Sequence, residues 1–438
     1  MTRVVRSRNV FGHGAASVHV REGRIEAVAA WDAIPAGAEL HDFGDALLMP
    51  AVIDTHVHVN EPGRTEWEGF RSATQAAAAG GVSALVDMPL NSVPVTTTAR
   101  ALREKRDAAR GQLHVDVGFW GGVVPGNLGE LAPMTEAGVL GFKCFMVDSG
   151  IAEFGWVGEP EMRDAMIELA RLRSPLLVHA EVAGPLREPD GPPEKYTTYL
   201  RTRPRESENQ AVALAARLCA ETRARTHIVH HSSSDALETL RSARRAGVPL
   251  SAETCPHYLH FAAEEIPDGR TEFKCAPPIR ERENREALWR ALGEGVLDMI
   301  ASDHSPCSPA LKAGGFHEAW GGVSGLQLAL PVAWTEASRR GYLLEHLVRW
   351  MCEAPARLAG LQHRKGALQA GLDADFCIWR PEETFRVEAQ GLLHKHKLTP
   401  YAGQELRGVV QATFVRGELV YDRGDFPGAL RGEELLRE

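Results

Sequence analysis

The 438 residues contain no uninterrupted apolar run long enough to span a bilayer, and the opening MTRVVRSRNVFGHG lacks the apolar core of a secretory signal. Membrane insertion and export are therefore not expected. Nor is there a basic excess: 49 Lys and Arg face 58 Asp and Glu, a formal net charge of -9, so nothing attracts nucleic acid or an anionic membrane surface. The seven cysteines, Cys144, Cys219, Cys255, Cys275, Cys307, Cys352 and Cys377, form no C-x-x-C pair. Scattered and odd in number, they suggest neither a disulfide framework nor a thiolate zinc site, and a reducing, cytoplasmic setting is the expectation. No internal repeat occurs, and the alanine run at 76–79 is too short to count as low complexity.

What is present is an ordinary globular composition, 44% apolar and 24% charged, in a chain long enough for one barrel of about 250 residues with insertions and a smaller domain. Short apolar, β-branched runs recur at 52–59, 82–87, 113–119, 139–146, 176–181, 226–232, 248–254 and 297–303. Each is followed by a helix-like stretch. Two of these, 207–222 and 234–246, are rich in Ala, Leu, Glu and Arg and begin with Ser207 and Ser234, which are expected to cap their first turns. Strands alternating with helices predict a parallel sheet, and eight such units predict an α/β fold of the TIM-like (β/α)8 barrel type. At the two ends of the chain, 18–30, 374–379 and 413–421 alternate apolar and polar residues around Gly turns. They predict a small β-sandwich domain built from 1–50 and 366–438, leaving 51–365 for the barrel.

The strongest local chemical signal is His56-Val57-His58 at the end of an apolar strand, just before Glu61-Pro62-Gly63-Arg64. Positions i and i+2 of a strand share a face, so both imidazoles would point into the barrel mouth and could hold one metal. By itself an H-x-H in a strand is more often incidental. Here His179, His230 and Asp303 also fall at predicted strand ends, as does Lys143 within Gly141-Phe142-Lys143-Cys144. Function collects at the carboxyl ends of barrel strands, and packing alone does not explain such a set.

Lysine is the odd member, because an ammonium has donors and no lone pair. A surface lysine is the bland alternative. The apolar surroundings of Lys143 instead predict burial, a depressed pKa and a neutral amine reactive toward carbon dioxide. The resulting carbamate, N6-carboxylysine, is a bidentate anion able to bridge two metals. Cys144 and Cys255 flank candidate ligands, but buried cysteine is usually packing, and a thiolate nucleophile is not adopted. His257, His304 and His317 are candidates to orient ligands or substrate.

These residues resemble the cyclic amidohydrolases of the amidohydrolase superfamily, the group of dihydroorotases, hydantoinases or dihydropyrimidinases, and allantoinases, along nearly the whole chain. The resemblance implies two divalent metals. His56 and His58 would bind the first, carboxylated Lys143 would bridge, His179 and His230 would bind the second, and Asp303 would be both ligand and catalytic proton shuttle. Zinc is the foremost choice, with cobalt, manganese and iron also compatible. A homo-oligomer, commonly a tetramer, follows from the same resemblance.

Within the group, dihydroorotases have an arginine where this chain has Asn60, because a guanidinium forks onto a carboxylate. The hydantoinase branch has a tyrosine in the segment that reads Met146-Val147-Asp148 here. The stretches Met88-Pro89-Leu90-Asn91, Thr254-Cys255-Pro256-His257-Tyr258, Lys274-Cys275-Ala276-Pro277-Pro278, Ser302-Asp303-His304-Ser305-Pro306, Gly321-Gly322-Val323-Ser324-Gly325 and His396-Lys397-Leu398-Thr399-Pro400-Tyr401 resemble the allantoinase branch. That branch implies hydrolysis of the small molecule allantoin to allantoate. Hydantoinase or dihydropyrimidinase activity is the first alternative, followed by dihydroorotase or a non-catalytic scaffold of the same fold. Asn91, Ser305, Gly322 and Ser324 are the expected substrate contacts, although Asn91 serves equally well as a turn residue. Glu61 and Arg64 are expected only to tie their loop together.

Overall fold

The computed structural model describes residues 2–437. Eight strands form the central sheet: β1 (Val52–Val57), β2 (Val82–Asp87), β3 (Asp116–Gly122), β4 (Gly141–Phe145), β5 (Leu176–His179), β6 (Thr226–Ile228), β7 (Leu250–Thr254) and β8 (Met299–Ile300). Neighbours in sequence pair in parallel, from β1 across to β8. The two edges then meet. Val57 bridges His304 in parallel, and His58 N donates to His304 O at 2.8 Å, which closes the barrel beside the candidate ligands. Most of these strands are buried at every position, as expected of a parallel sheet covered on both faces.

Helices including Phe70–Ala79, Ala99–Ala109, Glu159–Leu172 and Ala329–Arg339 surround the barrel. Both expected serine caps are corrected. The helix Arg205–Thr222 begins after Pro204, whose fixed φ suits helix entry, and Ser207 lies inside its first turn with its hydroxyl donating to Val182 O at 2.6 Å. In the other, a short 3-10 turn, Ser234–Ala236, precedes the helix Leu237–Arg245, and Ser234 N is satisfied by Asn284 Oδ1 at 2.7 Å.

The terminal segments meet in a second sheet. Arg3–Val10, Gly14–Arg21, Arg24–Ala30, Glu39–Asp42 and Leu47–Pro50 join Phe376–Arg386, Glu405–Val415 and Glu418–Asp422 in one hydrogen-bonded set, mostly antiparallel, with parallel pairings of Arg3–Val10 to Glu39–Asp42 and Leu47–Pro50. This sheet has its own core, including Val5, Val18, Ile25, Leu48, Phe376, Ile378 and Phe414. Lys365, Asp116, Asp373 and Asp375 form a buried charge cluster between the two bodies. The short strand Glu434–Leu435 then returns to pair with β3. Among the described residues no helix is long and apolar enough to cross a membrane, and all seven cysteines are buried and free.

Candidate metal centre

The H-x-H alternation has the predicted effect: His56, at the end of β1, and His58, just beyond it, turn toward the same space. Asp303 Oδ1 lies 3.2 Å from His56 Nε2 and 3.5 Å from His58 Nε2. The three ligand atoms lie within 4.8 Å of one another, an arrangement that could hold a cation. A second group stands beside it. His179, the last residue of β5, places Nδ1 3.0 Å from Nε2 of His230, which follows β6. The His56 and His230 rings are 5.3 Å apart, so the two groups share one cleft. His230 and Asp303 both have positive φ, 39° and 46°, a backbone state that costs non-glycine residues about 1 kcal/mol or more and that persists only where surrounding contacts enforce it.

Lys143, on β4, projects into the same cleft. Its side chain is 1% exposed, and Nζ has no hydrogen-bond partner among the described residues. Burial pulls its pKa down to about 8, only partly countered by Glu253 and Asp303. A neutral-amine fraction is thus available near physiological pH. Phe145 braces the arrangement, stacking on His179 at 4.3 Å and lying 5.1 Å from the Lys143 ammonium.

Three buried carboxylates escaped the sequence reading, and each orients a member of the cluster. Glu253 Oε1 lies 2.5 Å from His56 Nδ1, while its Oε2 accepts from His227 at 3.0 Å. With Nδ1 as donor, His56 presents the Nε2 lone pair to the cleft. Glu181 does the converse, engaging His179 Nε2 at 2.9 Å and leaving Nδ1 to face His230, while Arg203 holds Glu181 from behind. Asp54 accepts from His56 N at 3.1 Å and from Ser302 N, fixing β1 against the segment that carries Asp303. A signal for two of them was available: Asp54 is two residues before His56 and Glu181 two after His179, the same period-two spacing that revealed His58. Burial pushes the Asp54 pKa up to about 6. For Glu253 the burial effect is outweighed by His56 and His227, which bring it down to about 2.

Asp303 is likewise held well below the usual carboxylate range, because His56, His58 and His257 outweigh its burial. Burial lowers the pKa of the imidazoles: His58 and His257 fall to about 4, and His179 and His230 also drop. Neutral imidazoles facing an ionised aspartate are the protonation states that a cation site requires. Cys255, His257 and Asp303 form an alternative grouping, but burial raises the Cys255 thiol well above its ordinary value and keeps it protonated.

The cleft has a volume of about 660 Å³ and is lined by all six expected ligands together with Asn91, Ser305 and Gly322. Ser324 does not line it; the Ser324 carbonyl accepts from the Thr399 hydroxyl at 2.6 Å. Asn91 has the left-handed φ of 70° that suits the expected turn, and its carboxamide lies 3.3 Å from His58 Nδ1. The atom on that side is Asn91 Nδ2, which donates to His58 Nδ1, while Asn91 Oδ1 is buried without a partner among the described residues. Asn60 is withdrawn from the cleft, donating to Pro306 O at 3.1 Å. Glu61 ties its loop to Phe70 N and Gln112, and Arg64 pairs with Glu153 while donating to Asn91 O. His317 lines the cleft, and His304 Nδ1 accepts from Gly325 N at 3.1 Å.

Residues 47–420 match the family model described as the amidohydrolase family. The chain is 50% identical to an allantoinase of Streptomyces avermitilis, over 99% of this chain and 98% of that protein. It is 47% identical to an allantoinase of Arabidopsis thaliana, covering 87% of this chain and 79% of the relative. Among solved structures it is similar to the L-hydantoinase (dihydropyrimidinase) of Arthrobacter aurescens, with a TM-score of 0.93, 31% identity and full coverage of both chains. A dihydropyrimidinase of Brevibacillus agri follows, with a TM-score of 0.90 and 26% identity over 99% of this chain and 98% of that one. With the fold, the clustered histidines and these likenesses in agreement, the chain belongs to the amidohydrolase family.

Proposed function

We propose that this chain hydrolyses the hydantoin ring of allantoin, giving allantoate. The observation that carries the reading is the buried cluster of four histidines, Asp303 and an unpartnered Lys143 in one cleft, within a chain half identical, end to end, to an allantoinase. In this reading 51–365 is the catalytic body, and 1–50 with 366–438 is the smaller domain.

His56, His58 and Asp303 would hold one divalent cation, His179 and His230 a second, and Lys143, carboxylated by carbon dioxide, would join them. The donor set fits: Lys143 Nζ and His230 Nδ1 are buried without partners, and burial favours the neutral imidazoles of His58, His179 and His230. When bound, the metals supply Lewis acidity that activates water near neutral pH and polarises the ring carbonyl. Zinc is the first choice, with cobalt, manganese and iron alternatives for these N and O donors. Asp303, ionised, takes a proton from the attacking water as the oxygen bonds to the ring carbonyl carbon. It passes that proton to the ring nitrogen as the C–N bond breaks, so the amide N–H ends as an NH2 group and the carbonyl carbon as a carboxylic acid, which releases the second water proton to solvent and becomes a carboxylate. Asn91, Ser305 and Gly322, which line the cleft, would meet the ring amides and ureido arm, with Ser324, outside the lining, the remaining expected contact. The reading also includes a cytoplasmic setting, no nucleic-acid or membrane partner, and a homo-oligomer, tetrameric by resemblance.

Hydantoin or dihydrouracil is the second substrate class, favoured by the structural likeness to the Arthrobacter aurescens protein. The test is a side-by-side assay of allantoin, hydantoin, dihydrouracil and dihydroorotate with zinc, cobalt or manganese in bicarbonate buffer, using Lys143→Ala as control. Allantoin turnover that disappears in the variant is the expected result. Preference for dihydrouracil or hydantoin would transfer the protein to the other branch, and no turnover despite bound metal would sink the substrate assignment.

A further inference from the structure

One wall of the cleft, residues 319–322, lies in no helix or strand. Backbone outside regular structure must find partners for its carbonyls elsewhere. Two lysines supply them. Lys274 Nζ donates to His317 O at 3.1 Å and to Ala319 O, and Lys312 Nζ donates to Trp320 O at 2.8 Å and Gly322 O at 2.7 Å. The N–H groups are engaged too: Trp320 N meets Leu311 O at 2.7 Å, and Gly322 N meets Lys274 O at 2.8 Å.

From the other side the wall presses against Ser305. A Cβ on Gly322 would lie 2.2 Å from Ser305 O, so only glycine fits. Gly321 is different, since a Cβ there would meet nothing nearer than Ala276 N at 4.0 Å. The peptide between the pinned carbonyls therefore borders open cleft.

Both lysines are partly buried, and neither ammonium has an ion-pair partner among the described residues. Burial brings each down to about 8, and the charge of Lys312 depresses Lys274 further. The two like charges oppose each other, Glu272 offsets only part of the Lys312 charge, and each ammonium is held by its own set of backbone carbonyls along the strip. Lys312 stands behind the wall, outside the cleft lining. Any influence it has on a bound molecule must pass through the wall.

We propose that Lys274 and Lys312 are positioning residues that clamp 319–322, so that the Gly321 edge meets the substrate ring in one place and sets affinity rather than the rate of bond cleavage. The proposal rests on the reading of the cleft as a cyclic-amide site.

The test uses metal-loaded full-length protein carrying Lys312→Met or Lys274→Met. Hydrogen exchange at the Trp320 and Gly322 amides and steady-state constants for allantoin are measured together. Faster exchange at those amides is expected, with KM raised about tenfold, the effect of one lost charge-assisted hydrogen bond, and kcat within about twofold. Lys312→Arg, which keeps a cation and its donors, should recover part of the affinity. Unchanged exchange, faster exchange with unchanged KM, or a fall in kcat alone would each overturn the clamp. Should Lys312→Met fail to fold, Lys274→Met tests the clamp by hydrogen exchange alone, because Lys274 itself lines the cleft; unchanged exchange there would overturn it. If the unaltered enzyme hydrolyses another cyclic amide and not allantoin, the substrate reading fails, while exchange and KM for that amide still judge the clamp.

Discussion

Replacing Lys365 with methionine tests whether the charge cluster between barrel and terminal sheet holds the two together. Nζ lies 2.6 Å from Asp375, 2.8 Å from Asp116 and 3.2 Å from Asp373. Arg416 also pairs with Asp116, and Arg364 with Asp373 at 3.0 Å. Three cations thus balance three carboxylates, in a place where the Lys365 and Asp116 side chains are 0% exposed. Methionine keeps the length of the side chain and removes the charge, leaving a buried excess of one carboxylate. Breaking such a pair from one side costs about 3–5 kcal/mol, a large share of the roughly 5–15 kcal/mol by which domains are stable. Urea unfolding at pH 7 should show this loss as a lower midpoint.

The loss should also depend on pH. Burial by itself raises the Asp116 pKa; Lys365 and Arg416 outweigh it and hold the group below its ordinary value. In the native protein that stabilisation is present above the unfolded carboxylate pKa and disappears as pH falls through the lower folded value. In the variant burial prevails, and the orphaned carboxylates can take up protons on acidification. The difference between the two proteins should therefore shrink from pH 8 to pH 5. A loss under about 1 kcal/mol at pH 7, or one that grows toward pH 5, would refute the reasoning.

Glu253→Gln removes the anion that sets the His56 tautomer; metal affinity measured by chelator competition should fall about 10- to 100-fold, and unchanged affinity would show that Glu253 is only packing. Gly322→Ala would force a Cβ to within 2.2 Å of Ser305 O, so a stability loss of about 1–3 kcal/mol and a raised KM are expected in melting and kinetic assays. For Glu336, burial is outweighed by His260 and Arg340, which bring its pKa down to about 2 from 4.5. That depression is worth about 3 kcal/mol above pH 4.5 and is lost as pH falls toward 2, so the gap in unfolding midpoint between the native protein and Glu336→Gln should be larger at pH 7 than at pH 3.

Much of the architecture was legible in the chain because its signals are local. A fully buried parallel strand must be a short apolar run, and the eight runs fall on the eight barrel strands. The alternation at 18–30 resolves into Gly14–Arg21 and Arg24–Ala30 around the turn at Glu22-Gly23, since only period-two spacing suits a half-buried antiparallel pair. His56, His58, Lys143, His179, His230 and Asp303 could be selected because each is a polar residue at the end of an apolar strand. The serine caps were misread because a hydroxyl near a helix start has other partners that only the folded chain brings within reach: Val182 O for Ser207, and Asn284 for the segment at Ser234.

The sequence by itself determined the parallel barrel and the six residues at its mouth, since strand period and strand ends are properties of neighbouring positions. Only the tertiary structure decided which nitrogen of each histidine faces the cleft, through Glu253 and Glu181, and that Lys274 and Lys312 meet on one strip of backbone. Hydrogen-bond direction and burial depend on atoms distant in the chain that closure of the barrel brings together, and no spacing along the sequence encodes them.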